Sequence, residues 1–346
     1  MRASPKISNY KIRLHINTVK MGDILIFGMD NKISFVDINN NVCIGEFLCE
    51  GRVDSIRFSN DRKEIFMYTD QCKLYRIQKN QTKHFIKKVP NASKIRCVVP
   101  IFNTEYDEEE EKDVMKLSKL FIANDKFRLI NSDNYQVQEE LLDTDDRIVF
   151  SMKIMEDGVT AYAIMGRPSY STDINKDFDY FSNNAYVCQI DIESKQIVKE
   201  FEVPLRKDTK MEVGNGKLFL IEPFRQKKMY YIHDNELTEV PVDDELVQLD
   251  DILVSSKHNK IIILCEKRDG LKLQKFMRIL NLDDLSHTKE DLMLVMQTQA
   301  KAIRMCEHEK YMGISHSCGT LEIWNLKTLF KRPDANAYRV FKNLCD

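Results

Sequence analysis

The residues best suited to nucleophilic or metal chemistry in this 346-residue chain are seven histidines and nine cysteines, and their spacing assembles neither. The histidines are His15, His84, His233, His258, His287, His308 and His316. None stands in a His-Glu-x-x-His or beside a Gly-x-Ser-x-Gly elbow. No Cys-x-x-Cys pair occurs among Cys43, Cys49, Cys72, Cys97, Cys188, Cys265, Cys306, Cys318 and Cys345, so zinc-site spacing is missing. On a strand His316 and Cys318 would share a face, but a Cys–His nucleophile also needs a third, orienting group. Gly214-Asn-Gly-Lys217 lacks the spacing and the following helix of a phosphate loop and reads as a strand turn. Carboxylates are abundant, so a glycosidase-like pair stays open at this stage. The expectation is no catalytic residue, no metal and no cofactor.

The elements that would position any site are strands. Lys32–Asp37, Val53–Phe58 and Lys126–Asn131 alternate apolar with polar residues, while 3.6-residue periodicity is almost absent. One strand type ends in a bulky apolar residue followed by a polar one. It recurs as Val36-Asp37, Ile77-Gln78, Ile130-Asn131, Ile190-Asp191, Ile232-His233, Leu280-Asn281 and Trp324-Asn325, at a mean spacing of 48 residues. Two long spacings coincide with polar insertions. Without them the period is close to the ~40–45 residues of a four-stranded propeller blade. The fold expected is all-β, a seven-bladed β-propeller of four-stranded antiparallel blades, with repeat boundaries near residues 50, 90, 145, 205, 243 and 300.

The segment Ile314-Ser-His-Ser-Cys-Gly-Thr-Leu-Glu-Ile-Trp-Asn325 resembles the end of a WD-repeat, where a Gly-Thr turn leads into a strand closing on Trp-Asp or Trp-Asn. Val53-Asp-Ser-Ile-Arg-Phe-Ser-Asn-Asp61 resembles the inner strand and turn of the same family. The chain departs from the pattern in several ways. It has one Trp and no Gly-His, and Cys318 stands where the family has Asp, so the family's hydrogen-bonded tetrad is not expected. The chain holds only 11 Gly, about 3% against a usual ~7%, so Asn and Asp must supply many turns. The resemblance implies a propeller that binds other proteins.

The whole chain, residues 1–346, reads as one propeller domain with two insertions. The first, 103–117, is acidic (Glu105-Tyr-Asp-Glu-Glu-Glu-Glu-Lys-Asp113) and reads as a solvated loop between first and second strands. The second, 167–184, joins second to third strands and carries Tyr170, Phe178, Tyr180 and Phe181, residue types that anchor interfaces. Three basic segments should surface on the same face of adjacent blades: Arg206, Lys207 and Lys210 in the link between the fourth and fifth units; Arg225, Lys227 and Lys228 in the fifth unit's second-to-third loop; and Lys267, Arg268 and Lys272 in the corresponding loop of the sixth. These aromatic and basic residues, Lys272 apart, are the candidate partner-binding set.

Lys and Arg number 52 against 54 Asp and Glu, a net charge of −2, which gives no general drive toward nucleic acid. No apolar run reaches membrane-helix length, no secretory leader is recognisable and the cysteines are scattered. The reading is therefore a non-enzymatic interaction scaffold, a subunit of a larger cytoplasmic or nuclear assembly of proteins, without membrane insertion. The alternatives are a nucleic-acid- or phosphate-associated propeller using the basic face, and an enzyme with a site in the channel.

Overall fold

The computed structural model describes residues 13–19, 22–29, 31–40, 42–58, 64–69, 71, 73–78, 83–88, 97–107, 112–123, 127–131, 137–142, 147–155, 157–166, 185–205, 209–222, 227–288, 291–294, 300–305, 309–316, 320–331 and 339–341. Among them lie seven four-stranded antiparallel sheets, each built from consecutive strands. The first holds β1 (Arg13–Val19), β2 (Gly22–Met29), β3 (Lys32–Asp37) and β4 (Val42–Leu48). The second holds β5 (Val53–Phe58), β6 (Glu64–Thr69), β7 (Lys73–Gln78) and β8 (Lys83–Lys88). The third holds β9 (Cys97–Asp107), β10 (Lys112–Ala123), β11 (Phe127–Asn131) and β12 (Val137–Leu142). The fourth holds β13 (Ile148–Ile154), β14 (Thr160–Gly166), β15 (Ala185–Asp191) and β16 (Gln196–Leu205). The fifth holds β17 (Lys210–Gly214), β18 (Lys217–Ile221), β19 (Met229–His233) and β20 (Glu236–Val240). The sixth holds β21 (Leu246–Ser255), β22 (Lys260–Asp269), β23 (Lys272–Asn281) and β24 (Leu292–Met293). The seventh holds β25 (Ala300–Met305), β26 (Tyr311–His316), β27 (Leu321–Asn325) and β28 (Arg339–Phe341), with the short helix α1 (Leu326–Lys331) between its last two strands.

All seven apolar–polar pairs are the last two residues of a third strand. The apolar member is buried wherever its side chain is described: Val36, Ile77, Ile190, Ile232, Leu280 and Trp324. Of the expected repeat boundaries, 50, 90, 145 and 243 fall between sheets, while 205 is the last residue of β16 and 300 the first of β25. First strands touch in sequence, β1 to β5, β5 to β9, β9 to β13, β13 to β17, β17 to β21 and β21 to β25, and β25 returns to β1. That cyclic order makes the sheets blades around a channel, with the first strand of each innermost. The outer strand of the last blade, β28, comes from the C-terminal side, and the ring closes by packing of β1 on β25 and β26.

The core lies between blades. One cluster joins Phe219, Ile221 and Met229 of the fifth blade to Leu249, Ile252, Ile263 and Phe276 of the sixth. Another joins Leu253, Ile262 and Met277 of the sixth to Ile303, Ile314 and Trp324 of the seventh. Close approach explains two glycines. A Cβ on Gly214 would stand 2.3 Å from Val254 Cγ1 of the next blade, and one on Gly28 2.8 Å from Val53 Cγ1. Tight hairpins use Asn and Asp as composition demanded. Asn215-Gly216 and Asp234-Asn235 both have positive φ, the two-residue turn that suits a twisted hairpin.

One expectation is corrected. The acidic insertion 103–117 is largely not a loop, because β9 and β10 continue as a paired hairpin out to Asp107↔Lys112. Glu105, Asp107, Lys112 and Asp113 stand on that ladder, whose backbone bonds do not depend on side-chain sign. Residues 108–111 lie outside the described residues.

Candidate interaction surface

The antiparallel register places the start of each odd strand beside the end of the preceding even one. In the fifth blade Lys210 pairs with Ile221, Ile221 with Met229, and Met229 with Val240. In the sixth, Leu246 pairs with Lys267 and Lys267 with Gln274. Lys210, Lys227, Lys228, Lys267, Arg268 and Lys272 therefore sit at one end of two adjacent blades. Arg206, Lys207 and Arg225 lie outside the described residues, as does the whole aromatic segment with Tyr170, Phe178, Tyr180 and Phe181.

These cations differ in how far they are engaged. Lys227 has φ 48° and its Nζ donates to the Asp244 carbonyl at 3.1 Å. Lys228 lies 3.7 Å from Glu239, and a hydrogen bond with the Tyr230 hydroxyl raises its pKa above the ordinary lysine value. Lys267 stands over the Phe276 ring, 5.3 Å from its centroid. Arg268 and Lys272 are exposed and form no ion pair with another described side chain. Lys267, Arg268 and Lys272, expected in a loop, are strand residues instead. The β22–β23 ladder runs to Asp269↔Lys272 and turns through Gly270 (φ 59°) and Leu271.

Acidic residues on the same end are partly engaged. Asp243 faces Arg278 at 3.4 Å, and its pKa is lowered first by the Glu245 backbone N–H. Arg278 forks onto Asp291, Nε at 3.0 Å and Nη2 at 2.9 Å.

Charged groups that the sequence did not single out lie deeper. Lys275 pairs with both Asp250 and Glu266, the latter at 2.6 Å, with all three nearly buried. Burial raises the Asp250 carboxyl above the usual aspartate range despite the Lys275 ammonium and a 2.6 Å bond from Gln248 Nε2. On the innermost strands, Lys153 of the fourth blade bonds Glu212 of the fifth at 2.8 Å. Arg304 of the seventh bonds Asp251 of the sixth at 2.8 Å, and Asp251 also accepts from the Ile303 N–H at 3.1 Å. Glu212 and Asp251 are thus tied to cations across blade boundaries, and Asp250 and Glu266 to one within their own blade. No group of described residues has metal-ligand geometry.

The last blade holds a small polar network in its core. Trp324 Nε1 donates to Glu322 Oε2 at 3.1 Å, and His316 Nε2 lies 3.0 Å from Glu322 Oε1. Both His316 and Glu322 are buried. The WD-repeat tetrad was not expected here. A different network, centred on a glutamate two residues before the Trp, occupies the site. Cys318, weighed as a partner of His316, lies outside the described residues.

No protein-family model matches the sequence, and no curated protein matches it. Solved structures do match. A chain in "Crystal Structure of Mitotic Checkpoint Complex" superposes with a TM-score of 0.64 at 10% identity, covering 94% of this chain and 98% of that one. The Myceliophteria thermophila Cps50 (Swd1) β-propeller domain superposes at 0.62 and 10% identity, covering 92% and 98%. The fold is a WD-repeat-like β-propeller. In this propeller, as among the described residues generally, no helix is long and apolar enough to cross a membrane.

Proposed function

We propose that this propeller is a non-enzymatic scaffold for protein–protein interaction, a subunit of a larger intracellular assembly, with residues 1–346 acting as one unit. The observation that supports it most is the likeness, over more than nine-tenths of the chain, to a chain of a mitotic checkpoint complex and to the Swd1 propeller domain. The channel supports it too, since Glu212 and Asp251 of its innermost strands are held by cations of neighbouring blades and Asp250 by Lys275 of its own.

The partner surface in this reading is the end of blades four to six. Tyr170, Phe178, Tyr180 and Phe181 serve as anchors, and Arg206, Lys207, Lys210, Arg225, Lys227, Lys228, Lys267 and Arg268 form a basic rim. Aromatic anchors surrounded by a polar rim are the usual anatomy of a protein interface. The test is a variant with all four aromatics changed to Ala, first shown to melt like wild type, then compared for stoichiometric co-purification. Loss of a fixed set of proteins supports the reading. Retention of every partner at full occupancy excludes this surface. The nucleic-acid alternative predicts instead a protein-free RNA or DNA complex whose affinity falls steeply with salt.

A further inference from the structure

Seven large apolar side chains are exposed among the described residues, and three of them share one end of the sixth blade: Val247 at 36%, Leu273 at 45% and Leu271 at 105%. The β21 strand stops pairing with β22 at Leu246↔Lys267, yet the β22–β23 hairpin continues through Arg268↔Leu273 and Asp269↔Lys272. At ~3.3 Å per residue its tip stands roughly 7–10 Å beyond the innermost strand. Leu271 is the outermost residue, flanked along the hairpin by exposed Arg268 and Lys272; Lys267 stands at the base over the Phe276 ring, Asp269 is the one acid of 267–272, and Asp243, Asp244 and Glu245 lie lower, at the foot of β21. The Gly270-Leu271 turn fixes this projection, since a glycine with φ 59° at its first position suits a two-residue hairpin turn.

A fully exposed leucine beside cations on a two-residue hairpin turn matches few ligands. A helical or polyproline peptide lies in a groove, whereas Leu271 stands on a turn. Protein hot spots favour Trp, Tyr and Arg, whereas Leu and Lys are under-represented there. Single-stranded nucleic acid needs aromatic platforms, and the residues from Arg268 to Leu273 include no aromatic. A bilayer surface needs no complementary pocket. It accepts an aliphatic tip at the headgroup–acyl boundary and holds flanking Lys and Arg among anionic headgroups.

We propose that the β22–β23 hairpin is a peripheral anchor for an anionic lipid surface. Leu271, supported by Leu273, enters the interface, and Lys267, Arg268 and Lys272 remain among the headgroups. The contact is shallow and reversible, no stronger than the ~10⁴ M⁻¹ of a single acyl chain. It goes beyond the scaffold reading and shares Lys267 and Arg268 with the basic rim proposed there; the four-aromatic alanine variant, which leaves this hairpin unchanged, tells the two apart.

The test is co-sedimentation of the full chain with phosphatidylserine-containing vesicles and with phosphatidylcholine vesicles, joined to a fluorescence reading of Leu271→Trp. The one native tryptophan, Trp324, is buried and gives a constant background. Three results are expected: partitioning to phosphatidylserine vesicles that weakens with salt, at least a tenfold loss in Leu271→Asp and in the Arg268→Glu/Lys272→Glu pair, and a blue shift of the new tryptophan on vesicle addition. Because these positions are exposed, all variants should melt like wild type. Equal binding to both vesicle types, or full binding by Leu271→Asp, overturns the proposal. A blue shift with soluble poly-glutamate but not with vesicles also overturns it and assigns the tip to an acidic polypeptide.

Discussion

The fifth and seventh blades place different chemistry in the same slot. In the fifth, Ile232, next to last in the third strand, lies in an apolar cluster with Leu218 and Leu220 that also holds Tyr162, Met211 and Tyr230. In the seventh, Trp324 fills the corresponding position, and its indole N–H needs an acceptor there. Glu322 supplies one, and a buried glutamate then needs His316 as a further partner. One large polar-tipped residue has thus brought two more polar groups into the core. The slot itself requires only buried volume, which explains how six blades do without tryptophan.

The comparison breaks most visibly at Trp324. Trp324→Ala should cost about 3–5 kcal/mol by chemical denaturation, because it leaves a cavity and removes a donor from Glu322. Trp324→Phe separates the two effects. If it melts like wild type, the indole hydrogen bond contributes nothing and the network is incidental. Next comes the packing that both blades share with their neighbours. Gly214→Ala drives a methyl into Val254 and should cost roughly 1–3 kcal/mol. Adding Val254→Ala should recover part of that loss, and no recovery would mean the strain lies elsewhere. Ile232→Val tests the apolar slot alone and should cost about 0.5–1.5 kcal/mol.

The smallest effect is a slope. Asp250 holds its proton above the ordinary aspartate value in the folded chain, so over that window the folded state binds more protons than the unfolded one. Its contribution to stability therefore falls as pH rises from about 4 through the raised value. Asp250→Asn should flatten this part of the stability–pH curve. An unchanged slope would mean that Asp250 does not carry the titration.

The strand plan was legible because third strands, wherever their side chains are described, end in a buried apolar residue and an exposed or half-buried polar one, a contrast that survives the loss of the family's tryptophans. The turns were legible for a similar reason, since Asn215-Gly216 can adopt few other conformations. The hairpins were not. The charges of 105–113 and 267–272 read as loop, yet a ladder of backbone bonds tolerates any side chain that reaches solvent. The buried ion pairs were also hidden. Lys275 finds Asp250 on a strand 25 positions away, and Arg304 finds Asp251 on another blade. Nothing local distinguishes those residues from surface charges. Of the candidate partner-binding set, Lys210, Lys227, Lys228, Lys267 and Arg268 fall on one end of adjacent blades because blade register follows directly from strand order.

The way the ring meets itself has a mechanical consequence. Among the described residues no strand of one blade is hydrogen-bonded into another, so the joint between β1 and β25–β26 is a packed seam, not a zipped one. Many small contacts acting together resist shear well but yield to prying. A load that spreads the first blade from the last should open the molecule there, like a split washer, with every sheet still intact.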